Sequence, residues 1–212
     1  MNVTDYFKSL VSQELVDEYN TQGPYKMWDS GSAEVEVLEL LYALVRIMKP
    51  QNVLETGSHK GWSAGYMAQG LKDNGFGHLD TLEYLPEYYQ MTLRKIEDLL
   101  LKDYVLCHSI DAKDFIPTVN YQIIFIDTEP ETRFKEFIKF YPHLDDGGIM
   151  MIHDLGSGLH QIEVEGKEFG WPFGKLPDKI KQLIKNKEIQ SFHFPSPRGL
   201  WVVQKKKEGF YE

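Results

Sequence analysis

The stretch that decides the fold reads Val53-Leu54-Glu55-Thr56-Gly57-Ser58-His59-Lys60-Gly61-Trp62-Ser63-Ala64. An apolar strand passes into an acidic residue, two glycines flank a tight turn, and helix-forming residues follow. Glycine serves such a turn because it accepts positive φ and lets a ligand approach the backbone. A strand–loop–helix unit of this kind builds a nucleotide-binding loop at the carboxyl end of a parallel strand. A dinucleotide fingerprint spaces its glycines G-x-G-x-x-G. Here they read G-x-x-x-G, with a carboxylate two residues before the first. That combination suits a cofactor carrying positive charge rather than a pyrophosphate.

Working outward, the N-terminal side predicts a short helix over 4–19, capped by Thr4 or Asp5, and a loop over 20–31. A stronger helix follows, capped by Ser32, with an apolar stripe at Val35, Leu38, Leu41, Tyr42, Val45 and Met48 and an end at Pro50. On the other side the chain alternates. Strands are expected at 51–56, 79–84, 104–108, 121–127 and 149–153. Between them lie helices at 61–73, 86–101 and 130–140, a helical piece at 111–116, and a turn at Asp145-Asp146-Gly147-Gly148. Strands of near-continuous apolar character indicate a parallel sheet covered on both faces. Residues 155–176, rich in glycine, break the rhythm and read as a lid loop. After a helix at 177–187, strands 188–194 and 200–206 are joined by a link too short for a crossover, so they form an antiparallel hairpin. The expected fold is α/β, one Rossmann-like doubly wound sheet of seven mostly parallel strands with an antiparallel C-terminal strand. A single domain over 1–212 is expected: N-terminal helices to 50, a cofactor-binding core at 51–154, the lid at 155–176, then a helix and the hairpin.

Bulk properties narrow the partners. The 212 residues carry a formal charge of −9, which argues against a general nucleic-acid binder. The lone Cys107 fits a reducing compartment. No run approaches the roughly 18 to 20 apolar residues that span a bilayer, and the N-terminus lacks a basic region followed by an apolar run. A cytoplasmic protein without membrane or nucleic-acid partners is expected, with a homo-oligomer among its options.

Ligands of open α/β sheets bind beyond the carboxyl ends of the strands. This sequence puts Glu55, Glu83, Asp111, Asp127 and the pair His153-Asp154 there. Glu83 can accept hydrogen bonds from both ribose hydroxyls, and Asp111, followed by Ala112, can meet an adenine amine or cap a turn. Trp62 either covers an adenosine or belongs to the core. Asp127 and Asp154, on neighbouring strands about 4.8 Å apart, resist joint ionisation unless one is protonated or a cation lies between them. A divalent ion such as Mg²⁺ is one solution. In the other, Asp127 serves cofactor or substrate and Asp154 caps a loop. His153 and His59 are the candidate bases near this rim. Strand alternation would send His153 and Asp154 to opposite faces unless the strand has ended there. Arg198, His193 and Phe194 of the hairpin, with His160, Trp171 and Phe173 of the lid, are candidate substrate contacts, and Arg198 suggests an anionic one.

These residues resemble class I S-adenosylmethionine-dependent methyltransferases, particularly small O-methyltransferases related to catechol O-methyltransferase and the macrocin-type enzymes. The resemblance covers roughly residues 32–154, strongest at Val53–Ala68, Thr81-Leu82-Glu83-Tyr84, Ile123–Asp127 and Gly147–Asp154. The strand order 3-2-1-4-5-7-6 is implied by this family resemblance and not by the pattern alone. It also implies a cofactor loop of Glu55, Gly57 and Gly61, with Ser58 and Ser63 near the methionine moiety and His59, Trp62 and Tyr84 beside the nucleotide. Glu83 would hold the ribose, Asp111 and Ala112 the adenine, and Asp127 the cofactor or a metal. Asp127 and Asp154, or His153 and Asp154, would be metal ligands. The implied activity is methylation of a small-molecule hydroxyl, with His153 and Asp127 carrying the chemistry. Two departures stand out: Leu155 replaces the asparagine ligand of the catechol type, and Pro130 stands where that type has its lysine base. The competing readings are a methyltransferase-fold protein without that activity and, less well supported, a nicotinamide-dependent oxidoreductase.

Overall fold

The computed structural model describes residues 2–17, 25–155, 162–164, 167–169, 177–194 and 198–207. The chain divides into two compact units, Met1–Phe115 and Ile116–Glu212.

In the N-terminal unit, α1 (Val3–Val11) begins at Asn2, whose Oδ1 accepts the Asp5 amide at 2.7 Å. It stops at Ser12 (φ 50°), short of the expected 19, because Val16–Asp17 pair antiparallel with Lys26–Met27. α2 (Val35–Met48) is flanked by Glu34 rather than capped by Ser32. The Ser32 hydroxyl instead donates to the Asp29 carbonyl at 3.1 Å, closing the turn before the helix. Then come β1 (Asn52–Thr56), α3 (Trp62–Asn74), β2 (His78–Glu83), α4 (Pro86–Asp98) and β3 (Val105–Ser109), with β2 parallel to both β1 and β3. Every residue of α3 from Trp62 to Leu71 is buried. Its small residues permit this: a Cβ on Gly65 would sit 2.7 Å from Leu99 Cδ1, and one on Gly70 2.8 Å from Val45 Cγ1. The expected helical piece at 111–116 is only a turn, in which the Asp111 carbonyl accepts the amides of Asp114 and Phe115.

The C-terminal unit contains β4 (Tyr121–Ile126), α5 (Pro130–Phe140), β5 (Leu144–His153), α6 (Asp178–Lys185), β6 (Ile189–Phe194) and β7 (Leu200–Lys205). β5 runs parallel to β4, and β7 is antiparallel to both β5 and β6, as the hairpin requires. Asp145 to Gly148 lie inside β5 and not in a separate turn. Gly147 has φ 81°, the β4–β5 register shifts between Tyr121 and Ile123, and Gln122 donates to Asp145. Between these pairs one residue of β4 faces four of β5, and the three extra residues are accommodated as an irregular bulge within the strand. Ile162–Val164 and Lys167–Phe169 pair antiparallel within the segment read as an unstructured lid. His160, Trp171 and Phe173 fall outside the described residues.

The seven-stranded sheet has the order β6-β7-β5-β4-β1-β2-β3, which is the arrangement expected from sequence. Among the described residues, no helix is long and apolar enough to cross a membrane.

Candidate functional site

The cofactor loop is built by the end of β1 and clamped from three directions. Gly57 and Gly61 both adopt φ near 80°, at 81° and 82°, where a Cβ is disfavoured. The Gly57 amide reaches the Leu82 carbonyl at 2.9 Å, tying the loop to β2, and Gly61 N closes on Ser58 O at 2.7 Å. From α4, the Thr92 hydroxyl pairs with Ser58 Oγ and lies 2.9 Å from the His59 carbonyl. The third clamp is the segment before α2. Asp29 accepts from Lys60 Nζ at 3.0 Å and from Trp62 Nε1 at 3.1 Å, and Trp28 stacks on Trp62 with ring centroids 4.0 Å apart.

Glu83 stands at the end of β2 with one oxygen accepting the His59 amide and the other the Leu85 amide, both at 2.9 Å. Each carboxylate oxygen can accept more than one hydrogen bond. Tyr84 and Leu85 follow it as exposed apolar surface, suited to a flat base. Glu55 is fully buried, and its Oε2 accepts from Thr81, its cross-strand partner, at 2.5 Å. Asp111 accepts both the Lys113 amide and its Nζ, which is the turn-capping role, and Ala112 is buried beside it. Ser63 and Trp62 are buried at the start of α3. Trp62 lies against Trp28 with Lys95 Nζ 3.6 Å from its ring centre, which places the indole in the core. His59, in the left-handed region at φ 48°, packs its ring against Tyr88 and against Gly31, where a Cβ would run into the imidazole. The ring is thus a packing element of this loop.

The C-terminal unit holds the other cluster. Asp127 follows β4, and His153 ends β5. Asp154 then takes φ 55°, which turns the chain so that two consecutive side chains meet the same neighbour. His153 Nδ1 lies 3.2 Å from Asp127 Oδ1 and 3.4 Å from Asp154 Oδ1. The strand has ended there, as convergence of the pair demands. His153 is fully buried, and the two carboxylates form the more accessible edge.

Two arginines complete the cluster, and Arg133 is the group sequence reasoning missed. One turn into α5 and 3 % exposed, it donates Nε to the Thr128 carbonyl and Nη1 to the His153 carbonyl, both at 2.6 Å. Its Nη2 lies 3.0 Å from Asp154 Oδ2 and 3.4 Å from Asp127 Oδ1. Arg198 grips Asp154 from the hairpin side, Nε to Oδ1 at 2.6 Å and Nη2 to Oδ2 at 2.9 Å. Burial alone would raise the Asp154 carboxyl, but Arg198, with His153 and Arg133, holds it well below the usual carboxylate range. The Arg198 fork is therefore committed to a carboxylate within the chain, contrary to its expected use on an anionic substrate. His193 also bonds inward, to the Leu155 carbonyl at 2.5 Å, while Phe194 is exposed.

Asp127, His153 and Asp154 each offer one ligand atom within 4.8 Å of the others, a spacing a divalent ion could bridge. The remaining donor set does not fit one: both oxygens of Asp154 are engaged by guanidinium groups, and one of these also faces Asp127.

The seven-stranded sheet, its antiparallel C-terminal strand and the strand-end carboxylates define the Rossmann-like methyltransferase fold. Residues 54–155 match the family model described as a methyltransferase domain. A catechol O-methyltransferase of Niastella koreensis is 27% identical over 122 residues, covering 55% of this chain and 54% of that protein. The matched chain thus spans about half the length of that curated relative. Among solved structures, an O-methyltransferase of Streptomyces achromogenes involved in tomaymycin synthesis, in complex with SAM, superposes with a TM-score of 0.68 at 15% identity over 97% of each chain. An O-methyltransferase of Bacillus cereus in complex with SAH gives 0.68 at 19% identity over 84% of each chain. In sequence and fold, the chain resembles the small class I O-methyltransferases.

Proposed function

We propose that the chain is one S-adenosylmethionine-dependent methyltransferase domain acting on the hydroxyl of a small-molecule acceptor. The observation that carries this reading is Glu83, poised on the His59 amide of a G-x-x-x-G loop inside a segment that matches methyltransferase domains. S-adenosylmethionine supplies, when bound, an electrophilic methyl group on a sulfonium. The chain's own residues do the rest. Gly57 and Gly61 keep the loop backbone open to a ligand, Glu83 accepts ribose hydroxyls, and Tyr84 and Leu85 offer apolar surface to the base. Buried Glu55 adds negative charge behind the loop, which favours a cation.

An acceptor hydroxyl must lose its proton as it is methylated, and Asp127 and His153 are the pair suited to that task. Asp127 is the more accessible member and takes the hydroxyl proton on its carboxylate as the O–H bond breaks and the O–CH3 bond forms; the imidazole behind it orients that carboxylate. Since Pro130 stands at the alternative position, a lysine does not perform this role there. A reducing, cytoplasmic setting suits the single half-buried Cys107, and the negative charge disfavours nucleic acid as acceptor.

The test is transfer of labelled methyl from S-adenosylmethionine to a panel of catechols, phenols and aliphatic alcohols. Turnover of at least one acceptor is expected, with Asp127→Asn lowering kcat about 100-fold or more, within the usual contribution of a general base. Retained cofactor binding with no transfer to any acceptor would instead favour a methyltransferase-fold protein of another function.

A further inference from the structure

We infer that Arg133 holds the position between Asp127 and Asp154 that a divalent ion would need, so that this carboxylate cluster is neutralised by arginine and works without metal. Arg133 Nη2 is the group that bridges the two carboxylates, at 3.4 and 3.0 Å. The bridge is anchored independently of them. Nε and Nη1 are spent on the Thr128 and His153 carbonyls, so the guanidinium plane is fixed by backbone before either carboxylate is considered. Thr128 is held in turn, its hydroxyl 2.9 Å from Glu136 Oε1.

Charge balance points the same way. Two guanidinium groups already face the two carboxylates, so a divalent ion would add two positive charges with no carboxylate of the cluster left to balance them. An ion such as Mg²⁺ binds oxygen at about 2.0–2.1 Å. Reaching both carboxylates would set it against Arg133, whose side chain is 4% exposed and has no solvent to retreat into. Removing a buried charge from its partners is strongly destabilising.

Arg133 is therefore a positioning residue. It sets Asp127 and the His153 backbone, and a bound metal does not acidify the acceptor hydroxyl. This inference rests on reading the cluster as the acceptor-handling part of the protein, but its test is read without turnover. Mn²⁺ alone is titrated into the full chain, and the free-ion electron paramagnetic resonance signal is followed. Wild type is expected to show no saturable site up to about 1 mM. Arg133→Leu, and Arg198→Gln at the more accessible edge of the cluster, are expected to gain Mn²⁺ affinity at least tenfold, and Asp154→Asn added to either should abolish the gain. One Mn²⁺ bound per wild-type chain and lost in Asp154→Asn would overturn the inference. So would folded arginine variants, checked by circular dichroism, that gain nothing. Should no acceptor ever be methylated, the Mn²⁺ result still decides the question.

Discussion

Glu83 divides its two oxygens between the amides of His59 and Leu85, so one side chain fixes the loop, and in the proposed function it also receives the ribose. Replacing it removes both. Glu83→Ala is expected to weaken S-adenosylhomocysteine binding at least tenfold by calorimetry. It should also cost about 1–3 kcal/mol of stability in a denaturant melt, because two amides lose a charged partner. Gly31 is as specific for a different reason: its missing Cβ is the space the His59 ring fills. Gly31→Ala should lower stability by about 1–3 kcal/mol, the usual effect of overpacking, and should disturb the His59–Tyr88 contact. Cys107 shows burial acting on chemistry, its thiol pushed up to about 11. It should resist thiol reagents at pH 8 in the native chain and react once denatured. Glu83 was legible in the sequence because it ends an apolar strand. Arg133 was not, since a charged residue on an amphipathic helix usually faces water, and its role depends on where two distant strands end.

At the scale of elements, the parallel strands declared themselves through apolar runs, and the C-terminal hairpin through a link too short for a crossover. What escaped were features set by partners distant in sequence. α1 was read as longer than it is because nothing in residues 12–19 alone announces that Val16 and Asp17 pair with Lys26 and Met27. The Asp145–Gly148 run looked like a turn because its residues favour turns, yet the β4 backbone holds it in a bulged strand. The 28–33 segment was assigned to an ordinary loop and helix cap, and it is instead the clasp of the cofactor loop through Trp28 and Asp29. α1 supports this clasp. Phe7 is fully buried and packs edge-on against Tyr66 with centroids 5.0 Å apart, and Thr4 bonds the Tyr66 hydroxyl, which Trp28 Nε1 also reaches. Phe7→Ala should cost about 3–5 kcal/mol and weaken cofactor binding by loosening Trp28 and Trp62, seen as a coupled loss in melts and in S-adenosylhomocysteine titrations.

For the whole molecule, acid stability follows from Asp154. Its carboxyl is held below its ordinary value in the folded state. It therefore stabilises the fold above the unfolded value of about 3.9, and that contribution is lost as pH falls toward the folded one. Arg198→Met removes the largest source of that lowering and should move the acid-unfolding midpoint, followed by circular dichroism, to higher pH. Asp154→Asn should abolish the difference between the two backgrounds. The doubly wound parallel sheet was legible because each β–α alternation points to it, and the G-x-x-x-G loop with its preceding carboxylate points to the type of cofactor. Calorimetric titration of the chain with S-adenosylhomocysteine and, separately, with NAD tests this most directly. One saturable site for S-adenosylhomocysteine and none for NAD is the expected result. A site for NAD, or no heat with S-adenosylhomocysteine from folded protein, would contradict it.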